Sequence, residues 1–389
     1  MREIETMNLS EQIQYIGVND KDIDLFEGQY KVENGVSYNS WIILDEKIVL
    51  MDTADKRFGD VWLENAEKVL KGHVPDYLLV SHLEPDHGGN IERIMTKYPQ
   101  MTLITSTKAA SMLSQFTTQD FSARVQTVSE GETLLLGRHT LQFFMAPMVH
   151  WPEVMVTYEQ TEKILFSADG FGKFGCIGTE EEWLEEARRY YINIVGKYGM
   201  PVQTLLKKAS TLEIDTICPL HGPILKENLS YYISLYQKWS SYEPEEKGTL
   251  IAYSSVYGNT AQAANELASI LQEKGEKTVV MDLAREDMAK AVAYAFRFDK
   301  MVLASVTYDA GIFPCMEDFL YHLKMKALQN RKIGFIENGS WAPMAGKIMR
   351  EQCETMKNIT ICENMVTIRS AIKEENKKQM AALADELLN

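Results

Sequence analysis

The sequence predicts two domains in tandem, an α+β domain followed by an α/β domain with a doubly wound parallel sheet, and three observations carry that expectation. The chain has 389 residues, more than a single hydrophobic core usually serves. From Ile13 to about Cys218 short apolar runs alternate with turn clusters and a few helical stretches, the mark of mixed strands and helices. From Thr249 onward, apolar runs of strand length alternate strictly with helix-length segments, which implies parallel strands covered on both faces.

In the first half the runs Trp41–Leu44, Ile48–Met51, Leu78–Ser81 and Leu141–Ala146 read as strands. Thr179–Val195 has helical spacing, with acidic residues early and Arg188 and Arg189 late, as the helix dipole favours. Tyr231–Trp239 reads as a further helix that closes this half. The polar stretch 240–248, with Pro244 and Gly248, is the expected linker, so domains are expected at 1–245 and 249–389. In the second half strands are expected at Thr249–Tyr253, Thr278–Met281, Met301–Ser305, Lys332–Ile336 and Ile359–Val366.

Composition narrows the function. Lys and Arg number 40 against 55 Asp and Glu, a formal charge of −15, so no concentrated basic surface for a phosphate backbone is expected and nucleic acid is an unsuitable partner. Met1 to Gln14 is polar and acidic rather than basic then apolar, and no apolar run approaches a membrane span, so a soluble cytoplasmic protein is expected. The five cysteines are scattered, odd in number and never in a C-x-x-C pair, which suits buried thiols rather than a disulfide framework.

Chemistry concentrates in Ser81-His82-Leu83-Glu84-Pro85-Asp86-His87-Gly88-Gly89-Asn90, directly after the apolar run Tyr77–Val80. Four metal-ligating residue types fall within six positions. If the strand runs on to Glu84, His82 and Glu84 point the same way by the two-residue period, while Pro85 and the glycines turn the chain. Asp86 and His87 then sit at the turn, before a helix capped by Asn90. One such His beside one acid is usually an exposed charged loop, but three further candidates close apolar runs: His150, Asp169 and His221. His73, His139 and His322 have no such company and are expected at the surface.

This pattern resembles the metallo-β-lactamase superfamily, in which a His-rich motif after a strand, a later His, a bridging Asp and a final His bind two metals in an αββα sandwich. Hydrolytic members generally show H-x-H-x-D-H, whereas here Glu84 replaces the second His, and H-x-E-x-D-H is the flavodiiron pattern. Mixed carboxylate and imidazole donors favour iron over zinc. By resemblance, one iron takes His82, Glu84 and His150, the other takes Asp86, His87 and His221, and Asp169 bridges them.

The second half opens with the strand Thr249–Tyr253 and the loop Ser254, Ser255, Val256, Tyr257, Gly258, Asn259 and Thr260, then a helix. Hydroxyls and Gly in a strand-to-helix loop offer donors to a phosphate at the positive helix end, although such a loop alone is often only a cap. Two later strands end in aromatic-bearing loops, one holding Ser305, Val306, Thr307, Tyr308, Asp309 and Gly311, the other Asn338, Gly339, Ser340 and Trp341. The three loops resemble the flavodoxin set that holds FMN outside the carboxyl ends of the strands, with Tyr308 and Trp341 as candidates for contact with the flavin ring.

The order of the halves resembles flavodiiron proteins over essentially the whole chain, and 35–40, 51–53 and 189–194 look like that family's signatures outside the ligands. The resemblance implies reduction of O2 to water, of NO to N2O, or both, by an oxidoreductase with two irons and FMN. It implies a head-to-tail homodimer, or a pair of such dimers, and an external electron donor such as rubredoxin or a flavin or rubredoxin reductase. Tyr190, in the signature 189–194, is a candidate catalytic residue. Glu27, in Phe26-Glu27-Gly28, stands where the family commonly has His, and either faces solvent or alters proton delivery. A zinc hydrolase with an appended flavodoxin domain, and an electron carrier with a vestigial metal domain, are the rival readings.

Overall fold

A computed structural model describes residues 7–179 and 182–389. The chain divides into two compact units, Met1–Tyr191 with Met200–Tyr236, and Ile192–Gly199 with Gln237–Asn389.

The first unit is built on two larger sheets. One runs in the order Ile13–Tyr15, Trp41–Ile43, Val49–Met51, Tyr77–Leu79, Thr102–Ser106 and Val125–Val128. The other runs Thr133–Leu135, Thr140–Met145, Met155–Glu159, Ile164–Phe166 and Thr216–Cys218. A single core holds Trp41, Ile43, Met51, Leu79 and Ile104 of one sheet against Phe143, Met155, Ile164 and Phe166 of the other. Trp41–Ile43 and Val49–Met51 are buried at every position, so their outer faces are covered too. Sheets inside and helices outside make the αββα sandwich.

In the second unit the strand order is Thr278–Asp282, Glu246–Tyr253, Phe298–Tyr308, Lys332–Asn338 and Thr360–Ile368, all parallel. The order steps outward from Glu246–Tyr253 in both directions, the doubly wound arrangement. The helices Asn259–Glu273 and Glu374–Leu388 pack Ala264, Leu267, Leu271, Leu383 and Leu387 against Ile251, Val302 and Ile336. Among the described residues no helix is long and apolar enough to cross a membrane.

Several local expectations are corrected. The strand before the His-rich motif ends at Leu79 rather than running to Glu84; beyond it Ser81 N and Leu83 N donate to side chains, Asp52 Oδ1 at 2.7 Å and Glu153 Oε1 at 3.0 Å, which replaces the ladder. Asn90 occupies the N-cap position of Ile91–Lys97 but makes no cap bond; its amide donates to Ala54 O at 2.7 Å and Asp55 O at 3.2 Å. His139 is fully buried, not superficial, because its ring lies between Asp45 Oδ2 at 2.7 Å and Glu162 Oε1 at 3.2 Å. The helix expected over Thr179–Val195 is α-helical only over Trp183–Tyr190 and continues as a π turn at Tyr191–Val195; Glu180 and Glu181 lie outside the described residues. Glu246 to Gly248, expected in the linker, begin a strand: Glu246 pairs with Phe298, and an added Cβ on Gly248 would meet Phe298 Cδ1 at 2.7 Å.

Candidate metal centre and cofactor pocket

The metal centre is assembled from strand ends of both sheets. Asp52, at φ +56°, closes one strand and turns its carboxylate onto Ser81, accepting from Ser81 N and Ser81 Oγ at 2.7 Å each. Burial pushes that carboxyl up to about 6, against the pull of the two Ser81 bonds. This clamp sets the start of the loop that carries His82 and Glu84, and Pro85 then opens a one-turn helix bearing Asp86 and His87. His150, Asp169 and His221 arrive from loops after strands of the second sheet.

The seven side chains converge as two groups. His82, Glu84, His150 and Asp169 form one, with Asp86, His87 and His221 the other, and within each group the ligand atoms lie within 4.8 Å of one another. Asp169 Oδ2 is 3.1 Å from His82 Nε2 and 3.3 Å from His150 Nε2, while Asp169 Oδ1 is 3.5 Å from His221 Nε2. One carboxylate thus turns an oxygen to each group. Glu84 Oε2 stands 2.9 Å from His150 Nε2, and Asp86 Oδ2 stands 3.2 Å from His221 Nε2. Yet both oxygens of Asp86 and of Asp169 are buried without a well-directed hydrogen bond, an arrangement costly unless the lone pairs aim at a common third atom. The set therefore fits two cations held by imidazole and carboxylate.

Backbone acceptors fix the rings. His87 Nδ1 lies 3.2 Å from Thr53 O and His221 Nδ1 lies 2.8 Å from Ser37 O, which leaves each Nε2 facing the cluster. Electrostatics within the cluster are strong. Burial lowers His150 and His221, but Asp169 together with Glu84 or Asp86 carries each up to about 10. His87 goes the other way, to about 4, because its burial outweighs Asp86. Burial raises Asp169, yet His82 and the other rings hold it well below the usual carboxylate range.

Tyr190 is buried beside this cluster, its ring centroid 5.6 Å from that of His221 and 5.1 Å from that of Phe174. Burial and then Asp169 hold its hydroxyl well above the ordinary phenol range. Glu27 is exposed in the turn between Leu25–Phe26 and Tyr30–Lys31, at φ +50°, and it is the preceding Phe26 that packs edge-on to His221 at 5.5 Å. Phe26 carries no ligand atom, and Tyr38, whose ring lies 6.0 Å from both His87 and His221, turns its hydroxyl to Arg57 at 3.2 Å, so neither belongs to the ligand pattern.

In the second unit a cavity of about 380 Å³ opens at the carboxyl ends of the strands, lined by the three expected loops. Ser255 to Tyr257, Asn259, Thr260, Val306 to Asp309 and Asn338 to Trp341 line it. Ser254, Gly258, Ser305 and Gly311 do not; Ser254 and Ser305 are buried behind the loops and share a 3.0 Å hydroxyl bond. Thr307 also caps a helix, its Oγ1 accepting from Met344 N at 2.9 Å and Ala345 N at 3.1 Å. The helix Asn259–Glu273 starts at Gly258 with no side-chain cap, so its first N–H groups remain available to an anion. Tyr257 and Trp341 are 93% and 89% exposed, a costly display of aromatic surface unless something flat covers them. Ser370, from a fourth loop, joins the lining and exchanges bonds with Asn338 at 3.0 Å both ways; it was missed because its own sequence context shows only a turn.

The profile of the ODP family beta lactamase matches residues 36–222, and that of the flavodoxin domain matches 250–366. The pair and their order match a metallo-β-lactamase-like domain followed by a flavodoxin-like one. The chain belongs to the flavodiiron protein family. Flavodiiron proteins are oxidoreductases with a diiron centre and FMN, and this flavodiiron chain has a donor set and a loop set that suit both. It is 29% identical over 383 residues to an uncharacterized protein of Methanocaldococcus jannaschii, covering 96% of this chain and 95% of that one. It is 31% identical over 291 residues to diflavin flavoprotein A 1 of Synechocystis, covering 73% of this chain but 50% of the relative, so the chain spans about half the length of the diflavin relatives it matches. The anaerobic nitric oxide reductase flavorubredoxin of Vibrio vulnificus is 28% identical over 86% of this chain and 70% of its own. Among solved structures, rubredoxin oxygen:oxidoreductase of Desulfovibrio gigas superposes with TM-score 0.91 at 24% identity over 98% and 97% of the two chains; that likeness bears on the fold.

Proposed function

We propose that this flavodiiron protein reduces O2 to water, NO to N2O, or both, with electrons passed through FMN from an external donor. In this reading His82, Glu84 and His150 hold one iron, Asp86, His87 and His221 hold the other, and Asp169 bridges. The observation that carries it is Asp169, a fully buried carboxylate with one oxygen toward each ligand group and no well-directed hydrogen bond on either. A hydrolytic site rich in imidazole would not place Glu84 against His150 at 2.9 Å.

When bound, the irons supply Lewis acidity and two electrons and the flavin two more, which suits four electrons per O2 and two electrons per pair of NO. The chain's own part is positioning and shielding. Thr53 O and Ser37 O hold the His87 and His221 rings in the tautomer that presents Nε2. Phe26, Phe174 and Tyr190 pack on one another beside His221 and exclude bulk water from that side. Tyr190 keeps its proton on Oη, and so acts there as a neutral donor.

The donor in this reading is a rubredoxin or a flavin or rubredoxin reductase, and the active assembly is a head-to-tail homodimer or a pair of such dimers. The relative named for nitric oxide reduction supports NO as a substrate. All five cysteines are free thiols, which supports a reducing, cytoplasmic setting. The test is anaerobic turnover of the photoreduced protein with each gas in turn: consumption of O2 without peroxide, or appearance of N2O, supports the proposal, and inertness toward both gases with iron and FMN bound overturns it.

A further inference from the structure

The cavity in the second unit has an unbalanced charge. Of the residues that line it, none is Lys, Arg or His, and a single one, Asp309, carries a carboxylate. A flavin phosphate there would be held by hydroxyls and helix N–H groups, with no cation to offset the carboxylate.

The backbone at Asp309 is set by a two-residue turn. Phe298–Tyr308 and Gly311–Ile312 pair antiparallel, Tyr308 opposite Gly311 and Thr307 opposite Ile312, so Asp309 and Ala310 alone make the connection. Both have positive φ, +47° and +58°, the two-residue turn that ordinarily takes Asn-Gly. An Ala in that conformation is strained. The short turn keeps the Asp309 backbone beside Tyr308 in the lining of the cavity.

Its location along the cavity follows from the two ends. The uncapped helix start after Gly258 and the hydroxyls of Ser255 and Thr260 form the anion-binding end. Asp309 adjoins Tyr308, on a different loop, and Tyr308 with Trp341 presents the exposed aromatic surface suited to a flat ring. The carboxylate therefore belongs to the ring end.

Resting on the reading of this cavity as the FMN site, we propose that Asp309 tunes the redox balance of the flavin by disfavouring its reduced, anionic form. The chemistry balances simply: oxidised isoalloxazine is neutral, and uptake of two electrons and one proton from the electron donor leaves a net charge of −1 on the ring. A carboxylate near the ring opposes that added charge and leaves the neutral oxidised form untouched, so it makes the bound flavin a stronger reductant. Near the phosphate, whose charge is the same in both states, it would weaken both equally. Asp309 is exposed in the free pocket, so the effect is screened by salt.

Asp309→Asn is the deciding variant, because Asn tolerates positive φ at least as well as Asp and removes only the charge. The full-length protein is loaded with FMN, the affinity of each redox state is measured, and the oxidised-to-reduced ratio is followed at fixed potential against a reference dye during titration with dithionite. We expect Asp309→Asn to shift the ratio about three- to tenfold toward reduced flavin, with oxidised FMN bound as before and the shift shrinking at high salt. An unchanged ratio, or equal tightening of both redox states, overturns the proposal while leaving FMN binding intact. A wild-type chain that takes up no FMN overturns the flavin reading and this proposal together.

Discussion

Asp169 carries the most consequence of any single residue. It is fully buried, lies among three imidazoles at 3.1 to 3.5 Å, and faces both ligand groups. We expect Asp169→Ala to lose most bound iron and all gas reduction while FMN absorbance per chain stays at the wild-type level; retained iron and turnover would remove Asp169 from the ligand set. Glu27 poses a different question, since it is exposed on a hairpin turn and it is Phe26 that reaches His221. We expect Glu27→His to alter the ratio of O2 to NO turnover and its pH dependence; unchanged rates for both gases across the neutral range, in this variant and in Glu27→Ala, would show that the side chain serves only the turn. The ligand residues were legible because four donor-bearing residues cluster directly after one apolar run and the other three close apolar runs. The packing of Phe26 and Tyr38 on the ligand rings, and the part of Ser370, were not, because they depend on which loops the fold brings together.

Among elements, the buried clasp around His139 joins segments far apart in sequence. Asp45 accepts from Arg138 N, His139 N and His139 Nδ1, and Glu162 takes the other ring nitrogen. Burial raises the Asp45 carboxyl, but the bonds from His139, Arg138 and Glu46 bring it to about 2. A folded-state value below the unfolded one means that this stabilisation is complete above about pH 4 and fades as pH falls toward about 2. We expect Asp45→Asn to cost about 1–3 kcal/mol at neutral pH, read by denaturant unfolding, with the gap to wild type closing in acid. Equal stability at neutral pH would show the clasp to be ornamental. His139 looked superficial in sequence because its two acidic partners sit 94 and 23 positions away. Strand positions were otherwise well marked by apolar runs. The bend after Leu79 was not, because side-chain bonds from Asp52 and Glu153, distant in sequence, end that strand.

At the scale of the molecule, two domains in this order were legible from the change in periodicity near Thr249, whereas the exact junction was not. Polar Glu246 reads as linker until its partners Lys277 and Arg297 are known, and buried Arg331 takes Tyr242 O as an acceptor at 2.9 Å. We propose Gln237–Asn389 as a fragment that folds and binds FMN, and expect one beginning at Thr249 to be less stable by about 1–3 kcal/mol for lack of those contacts; equal unfolding midpoints would place the junction at Thr249. The central claim, a diiron and FMN reductase of O2 or NO, is tested most directly on the whole protein purified after growth with ample iron, by metal and flavin analysis followed by anaerobic photoreduction and addition of each gas. About two irons and about one FMN per chain are expected, with consumption of at least one gas to water or N2O. Zinc in place of iron, or a fully loaded protein that reduces neither gas, would contradict it.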